Sequence, residues 1–272
     1  MRIDNAGVGI HVEVGGPDDG VPVVLLHGFP DTGRLWDHQV EALTGAGYRV
    51  IVPDQRGYGR SDQPPDVADY RMRFLVTDVT AVIDQLALGR AHLVGHDFGA
   101  SVAWAVASMV PDRVDHLAVL SVGHPAAFRS AGIDQRQKSW YMLLFQFEDV
   151  AEEWLSADGW ANFRTWARHP RTAAVVAELE ASGSLTPGLN WYRANAHPRI
   201  LFGPPPTLPP VTAPTMGIWS SADVALTEKQ MTDSARFVTG PWRYERLEGP
   251  GHWIPLDAPD DVNRLLLDFL KT

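Results

Sequence analysis

The sequence predicts an α/β domain: a mostly parallel sheet covered by helices on both faces, interrupted by an inserted helical cap. Three observations predict it. The length of 272 residues approaches the upper size for one hydrophobic core, which favours one large domain with an insertion over two unrelated ones. Short apolar runs alternate with helix-period stretches through the first half of the chain. From His124-Pro125 onward the texture changes, becoming rich in tryptophan and helix-like, with no convincing strand before the last quarter.

The elements follow in order. Val21 to Leu26, Tyr48 to Val52, Ala91 to Val94 and Val114 to Val122 are short, mostly apolar runs rich in β-branched residues, as suits strands buried on both faces. From Phe74 to Leu86, the side chains of Leu75, Val79, Ile83 and Leu86 keep the spacing of one helical face, and Gly89 is expected as the C-cap. Residues 125 to about 195 are expected to be the helical cap. Pro198, Pro204, Pro205, Pro206, Pro209, Pro210 and Pro214 then crowd seventeen positions, a composition expected to build neither helix nor central strand, hence a stiff return linker. Strand character resumes at Thr215 to Ser220 and at Arg243 to Leu247. An amphipathic helix from Pro259 to Leu270 presents Val262, Leu265, Leu266 and Phe269 to the core. The expected division is therefore 1-124 and 210-272 as core, with 125-209 as cap and proline-rich return linker.

Composition narrows the function. Hydrophobic residues at 45% and charged residues at 21% describe a folded chain. With 23 basic against 33 acidic residues, net −10, nucleic acid and anionic membrane surfaces are disfavoured partners. The absence of cysteine removes disulfides, thiolate nucleophiles and zinc-thiolate sites and suits a reducing compartment. No apolar run reaches the length of a signal peptide or membrane span, so the expected address is cytoplasmic.

The segment His92-Leu-Val-Gly-His-Asp97-Phe-Gly-Ala100 runs from a strand through Gly-x-Asp-x-Gly directly into a helix. This is the layout of a nucleophile elbow with Asp in place of the usual Ser; the competing reading is that Asp97 caps the helix. Asp223 lies just past the next-to-last strand, and His252, in Gly249-Pro-Gly-His-Trp253, lies just past the last. The order nucleophile, acid, base matches hydrolases built on such an elbow. His27-Gly-Phe-Pro30 follows the first buried strand, so the N–H groups of Phe29 and Phe98 are the expected oxyanion hole. His27 itself is expected to brace that loop. Asp54 to Asp62 contains Gly57-Tyr-Gly59 but lacks a full nucleotide-loop fingerprint and is expected to be a structural turn.

Together, His27-Gly-Phe-Pro30, Asp54-Gln-Arg-Gly-Tyr-Gly-Arg-Ser-Asp62, Gly95-His-Asp-Phe-Gly99 and Gly251-His-Trp253 resemble the α/β-hydrolase-fold epoxide hydrolases, the aspartate-nucleophile branch of that fold. The resemblance implies Asp97 as nucleophile, His252 as base and Asp223 as its orienting acid. It further implies that Tyr141 and Tyr192 in the cap polarise the epoxide oxygen, and that neither cofactor nor metal is needed. The chain departs from the family at Phe98, where Trp is common, and at Ile254-Pro-Leu256, where a more polar run is usual; both bear on the shape of the pocket.

Chemistry agrees with the resemblance. A carboxylate attacking an acyl carbonyl would form a high-energy anhydride, whereas attack on saturated carbon forms an ordinary ester that water can cleave, which suits epoxides and alkyl halides. A departing alkoxide needs a proton, which a phenol supplies; a departing halide needs N–H donors, and the side chains of Phe29 and Phe98 have none. The expected activity is conversion of a hydrophobic small-molecule epoxide to a vicinal diol through an ester on Asp97. Haloalkane dehalogenation by the same Asp-His-Asp triad, and a non-catalytic ligand-binding protein of the same fold, are the alternatives. Trp140 and Trp191 are expected to touch substrate, and a monomer or homodimer is expected.

Overall fold

The computed structural model describes residues 1–271. Eight strands form one sheet: β1 Arg2–Asn5, β2 Val8–Gly15, β3 Pro22–Leu26, β4 Arg49–Pro53, β5 Ala91–His96, β6 Val114–Leu120, β7 Thr215–Ser220 and β8 Trp242–Leu247. Their order is β1-β2-β4-β3-β5-β6-β7-β8. From β4 to β8 every neighbouring pair is parallel, while β1–β2 and β2–β4 are antiparallel. β3 to β7 lie where largely apolar runs predict them, and β8 lies at the expected Arg243 to Leu247 although its residues mix polar with apolar. The β1–β2 hairpin was not foreseen: Val8–Gly15 mixes buried with exposed positions, and this half-covered pattern lacks the consecutive apolar signal of a buried parallel strand.

Helices α1 Asp37–Gly45, α2 Met72–Gln85 and α3 Phe98–Met109 follow the central strands, and α13 Pro259–Phe269 closes the chain. Alternate residues of each strand feed two cores. Val24, Leu26 and Leu93 pack with Leu75, Val79 and Ile83 of α2, whereas Val23, Leu25 and Val94 pack with Leu43 of α1 and with Val262, Leu265 and Leu266 of α13. Both faces of the central strands are therefore covered, the reason β3 to β5 are mostly apolar. Gly89 does adopt a positive φ, but α2 has already ended, with Ala87 in the left-handed region; Gly89 belongs to the turn into β5.

Between β6 and β7 the chain is helical: α4 Pro125–Ser130, α5 Ile133–Lys138, α6 Trp140–Leu144, α7 Val150–Ala167, α8 Thr172–Ser182, α9 Leu185–Asn195 and α10 Pro198–Leu201. The last corrects the expectation of a helix-free proline stretch. Pro198 occupies the first helical position, where its missing N–H is unneeded, and His197 Nδ1 accepts from the Arg199 N–H at 3.2 Å. Residues 202–210 then form neither helix nor strand. Two short helices, α11 Glu228–Thr232 and α12 Ile254–Asp257, complete the fold.

The segment Asp54 to Asp62 is a structural turn. Asp54 accepts from the N–H groups of Gly33 and Arg60. Gly59 has φ +52°, and a Cβ there would stand 2.5 Å from the Asp54 carboxylate. Arg56 forms a buried two-point ion pair with Asp78 of α2 at 2.7 and 2.8 Å, tying the turn to the helix below it.

Candidate active site

The carboxyl ends of β3, β5, β7 and β8 converge beneath the helical segment. Asp97, between β5 and α3, has φ +53° and ψ −126° and makes no side-chain hydrogen bond to the helix, which removes the reading of Asp97 as a side-chain cap. Such a conformation is strained for a residue with a Cβ, and the glycines around it are sterically required. A Cβ on Gly95 would lie 2.5 Å from the Gly99 carbonyl oxygen, one on Gly99 2.0 Å from that of Leu26, and one on Gly28 2.3 Å from Asp97 Oδ1. The elbow thus lifts a buried carboxylate off the edge of the sheet.

The Phe29 N–H donates to Asp97 Oδ1 at 3.1 Å, and the Phe98 N–H also supports the carboxylate. His252 places Nε2 3.5 Å from Asp97 Oδ2 and Nδ1 2.9 Å from Asp223 Oδ2. The other oxygen of Asp223 accepts from the N–H groups of Ala225 and Leu226 at 2.8 and 2.9 Å, so the acid is held from both sides. Burial pulls the His252 imidazole toward its neutral form, but the charges and hydrogen bonds of Asp223 and Asp97 outweigh it and push its pKa up to about 10. Burial would raise Asp97; the hydrogen bond and charge of His252, then His96 and the Phe98 N–H, hold it below the usual carboxylate range. Both shifts favour an Asp97⁻–His252⁺ ion pair.

Tyr141 on α6 and Tyr192 on α9 are 4% and 2% exposed, their rings 6.0 Å apart. Burial, then the charge of Asp97, pushes both phenols well above their ordinary value, so both remain hydrogen-bond donors. Among the described residues neither phenol oxygen has a hydrogen-bond partner within the protein. Unlike the fully enclosed hydroxyl of Tyr58, both tyrosines border open space. Two cavities, of about 410 and 360 Å³, both have Asp97, Tyr141 and Tyr192 in their walls. His252 borders the smaller one.

Trp140 lines the smaller cavity with Trp154 and Trp166. Trp191 does not reach either cavity: it is fully buried, its indole N–H donates to the Arg56 carbonyl at 2.9 Å, and its rings pack on Phe98 and Tyr58. It is a packing residue, contrary to expectation, because the neighbouring Tyr192 takes the cavity-facing side of α9. His27 braces its loop as expected, Nε2 accepting from the Gln55 N–H at 2.9 Å and Nδ1–H donating to the Gly28 carbonyl.

Two pairings escaped sequence reading. His96, beside Asp97, has its Nε2 2.9 Å from the His252 carbonyl oxygen, which also accepts from Ser121 Oγ at 3.1 Å; burial, then the nearby His252, lowers His96 to about 4, so as a neutral ring it fixes the histidine loop. His169, after α7, meets Asp31 at 3.2 Å, and the Trp253 indole donates to the Ala167 carbonyl at 2.8 Å. These contacts tie the helical segment to the loops bearing Phe29 and His252. His96 stood inside a recognised motif, but no local signal marks His169 as the partner of a residue 138 positions away.

A model of the alpha/beta hydrolase fold family matches residues 21–259. The chain is 32% identical to Epoxide hydrolase 3 of Xenopus tropicalis over 100% of its own length and 77% of that protein. It is also 32% identical to Epoxide hydrolase A of Mycobacterium tuberculosis, over 98% and 96%. A crystal structure of a Bacillus megaterium epoxide hydrolase in complex with an inhibitor superposes with a TM-score of 0.91 at 25% identity, each chain covered in full. The chain therefore belongs to the α/β-hydrolase-fold epoxide hydrolase family.

Proposed function

We propose that the protein hydrolyses an epoxide to a vicinal diol through a covalent ester on Asp97. The observation that carries this reading is the pair of unpartnered, buried phenols sharing cavity walls with an ionised carboxylate. Two phenol donors bordering the cavities beside one carboxylate suit a ligand oxygen that needs two hydrogen bonds.

In the first half-reaction ionised Asp97 attacks an epoxide carbon while Tyr141 and Tyr192 donate to the ring oxygen; the C–O bond breaks and a phenol proton passes to the departing alkoxide. The His252 imidazolium then reprotonates the phenolate. Esterification has removed the Asp97 charge, so His252 keeps only one carboxylate and gives up its proton more easily. In the second half-reaction neutral imidazole, oriented by Asp223, takes a proton from water, and the hydroxide attacks the Asp97 carbonyl carbon. Phe29 and Phe98 N–H groups stabilise the oxyanion, each worth on the order of 3 kcal/mol. Diol departs, and the Asp97⁻–His252⁺ pair is restored. The helical segment 125-209 acts as the cap supplying both phenols.

Haloalkane dehalogenation is less well served, since Phe29 and Phe98 bring no side-chain N–H to a leaving halide. The decisive experiment is turnover in ¹⁸O-labelled water. In a single turnover the diol is expected to keep unlabelled oxygen while label enters the Asp97 carboxylate; label going straight into the diol would eliminate the ester. Tyr141→Phe or Tyr192→Phe alone is expected to slow ring opening on the order of tenfold or more, and the double variant on the order of 10³-fold, with the fold unchanged by circular dichroism. Unaltered single-turnover rates would remove the tyrosines from the mechanism.

A further inference from the structure

Among the described residues eight other than glycine have a positive φ. Six of them lie in the β1–β2 turn, just after α2, or between 149 and 168; the two in loops leaving the carboxyl ends of strands are Asp97, after β5, and Ser121, after β6. Asp97 owes its conformation to the elbow. Ser121 has φ +67°, and across it the Val122 N–H donates to the Leu120 carbonyl at 2.9 Å, closing a three-residue turn that is strained for any residue with a Cβ. Its neighbours hold it there. The Ser121 N–H donates to the Ile218 carbonyl of β7 at 2.9 Å, and the Ser121 carbonyl accepts from Gln230 Nε2 of α11 at 2.8 Å. The residue is fully buried, and its hydroxyl donates to the His252 carbonyl at 3.1 Å. Glycine would take this backbone conformation without strain. It has no hydroxyl to aim at His252.

We propose that Ser121 is a positioning residue for the second half-reaction, its hydroxyl anchoring the main chain of His252 once Asp97 has become an ester. This deepens the hydrolase reading above and rests on it. Before the ring opens, the imidazole lies between two carboxylates, Nε2 3.5 Å from Asp97 Oδ2 and Nδ1 2.9 Å from Asp223 Oδ2, so opposite charges hold it from both sides. Esterification removes one of them. Nε2 must then face water, with Asp223 on the far side of the ring and the main-chain anchors behind it. Those anchors are His96 Nε2 at 2.9 Å and Ser121 Oγ, both on the His252 carbonyl, and Ser220 Oγ at 2.6 Å on the Gly251 carbonyl. His96 adjoins the nucleophile itself, whereas removing the Ser121 hydroxyl leaves the elbow intact. A base displaced by about 1 Å can lose on the order of 10²-fold in rate.

The test follows single turnovers of styrene oxide and of 1,2-epoxyoctane in the unaltered protein, in Ser121→Ala and in Ser121→Gly, reading ester by intact mass and diol by chromatography. Alanine keeps the strained backbone and loses the hydroxyl; glycine loses both, and being free of strain it guards against a failure of the alanine variant to fold. Ester formation is expected to stay within about twofold of the unaltered rate in both variants, and ester hydrolysis to slow on the order of tenfold in both, so that ester accumulates. Native-rate hydrolysis of the ester by either variant overturns the proposal, as does an equal slowing of the two half-reactions, while diol from the unaltered protein keeps the hydrolase reading. Neither ester nor diol from the unaltered protein with either probe overturns both.

Discussion

Asparagine in place of Asp97 is expected to give a folded protein whose epoxide turnover is lowered on the order of 10⁴-fold or more. An amide is too weak a nucleophile to open the ring, yet its shape is almost unchanged. Its oxygen still accepts from the Phe29 N–H, which reaches Oδ1 at 3.1 Å in the native protein, and asparagine tolerates a positive φ better than most residues. Alanine should abolish turnover equally, at a further cost in stability from the strained backbone and the emptied volume. The same variant reads out the electrostatics. With Asp97 gone, His252 keeps Asp223 but loses the carboxylate 3.5 Å from Nε2, so its titration midpoint, followed by NMR of the ring protons, should fall from the raised native value. Retained turnover would strip Asp97 of its role, and an unmoved midpoint would contradict the ion pair.

Glutamine in place of His252 is expected to separate the two half-reactions. Ring opening needs only the ionised carboxylate and the phenols, so the ester should form, whereas hydrolysis, deprived of its base, should slow on the order of 10³-fold or more. Intact mass after substrate should then rise by the full mass of the epoxide, because opening a ring expels no atoms; a haloalkane would leave an adduct lacking its halide. In the unaltered protein the half-reactions should also divide by pH. Asp97 is held below the usual carboxylate range, so ester formation should stay level from neutral pH down through pH 5. Ester hydrolysis needs neutral imidazole and should rise with pH until the midpoint of His252 in the ester is passed. A variant that forms no adduct, or a hydrolysis rate that falls as pH rises, would count against His252 as the base of the second step.

Much of this was legible locally. Largely apolar runs marked β3 to β7 because a strand covered on both faces admits little polar alternation. The elbow was legible because Gly95 and Gly99 flank Asp97 in the sequence, although the crowding at Gly99 comes from Leu26 of β3, and Asp223 and His252 because each closely follows a strand ending at the same edge. The β1–β2 hairpin was not legible, its burial being only partial. Trp191 and Tyr192 show the same boundary at finer scale: both adjacent aromatic residues were read as facing substrate, but α9 turns one into the core and the other to the cavity. Composition around them does not distinguish the two.

The chain's own letters determined the layered fold, the tight bend carrying a carboxylate, and the order in which Asp97, Asp223 and His252 appear, since each depends on neighbours in sequence or on strand ends that any parallel sheet brings together. Only the tertiary structure decided which aromatic rings border the cavities and that His96 and His169 brace the site. Those properties depend on which side chains from distant segments meet and on how deeply they are buried, and both are set by packing across the whole molecule.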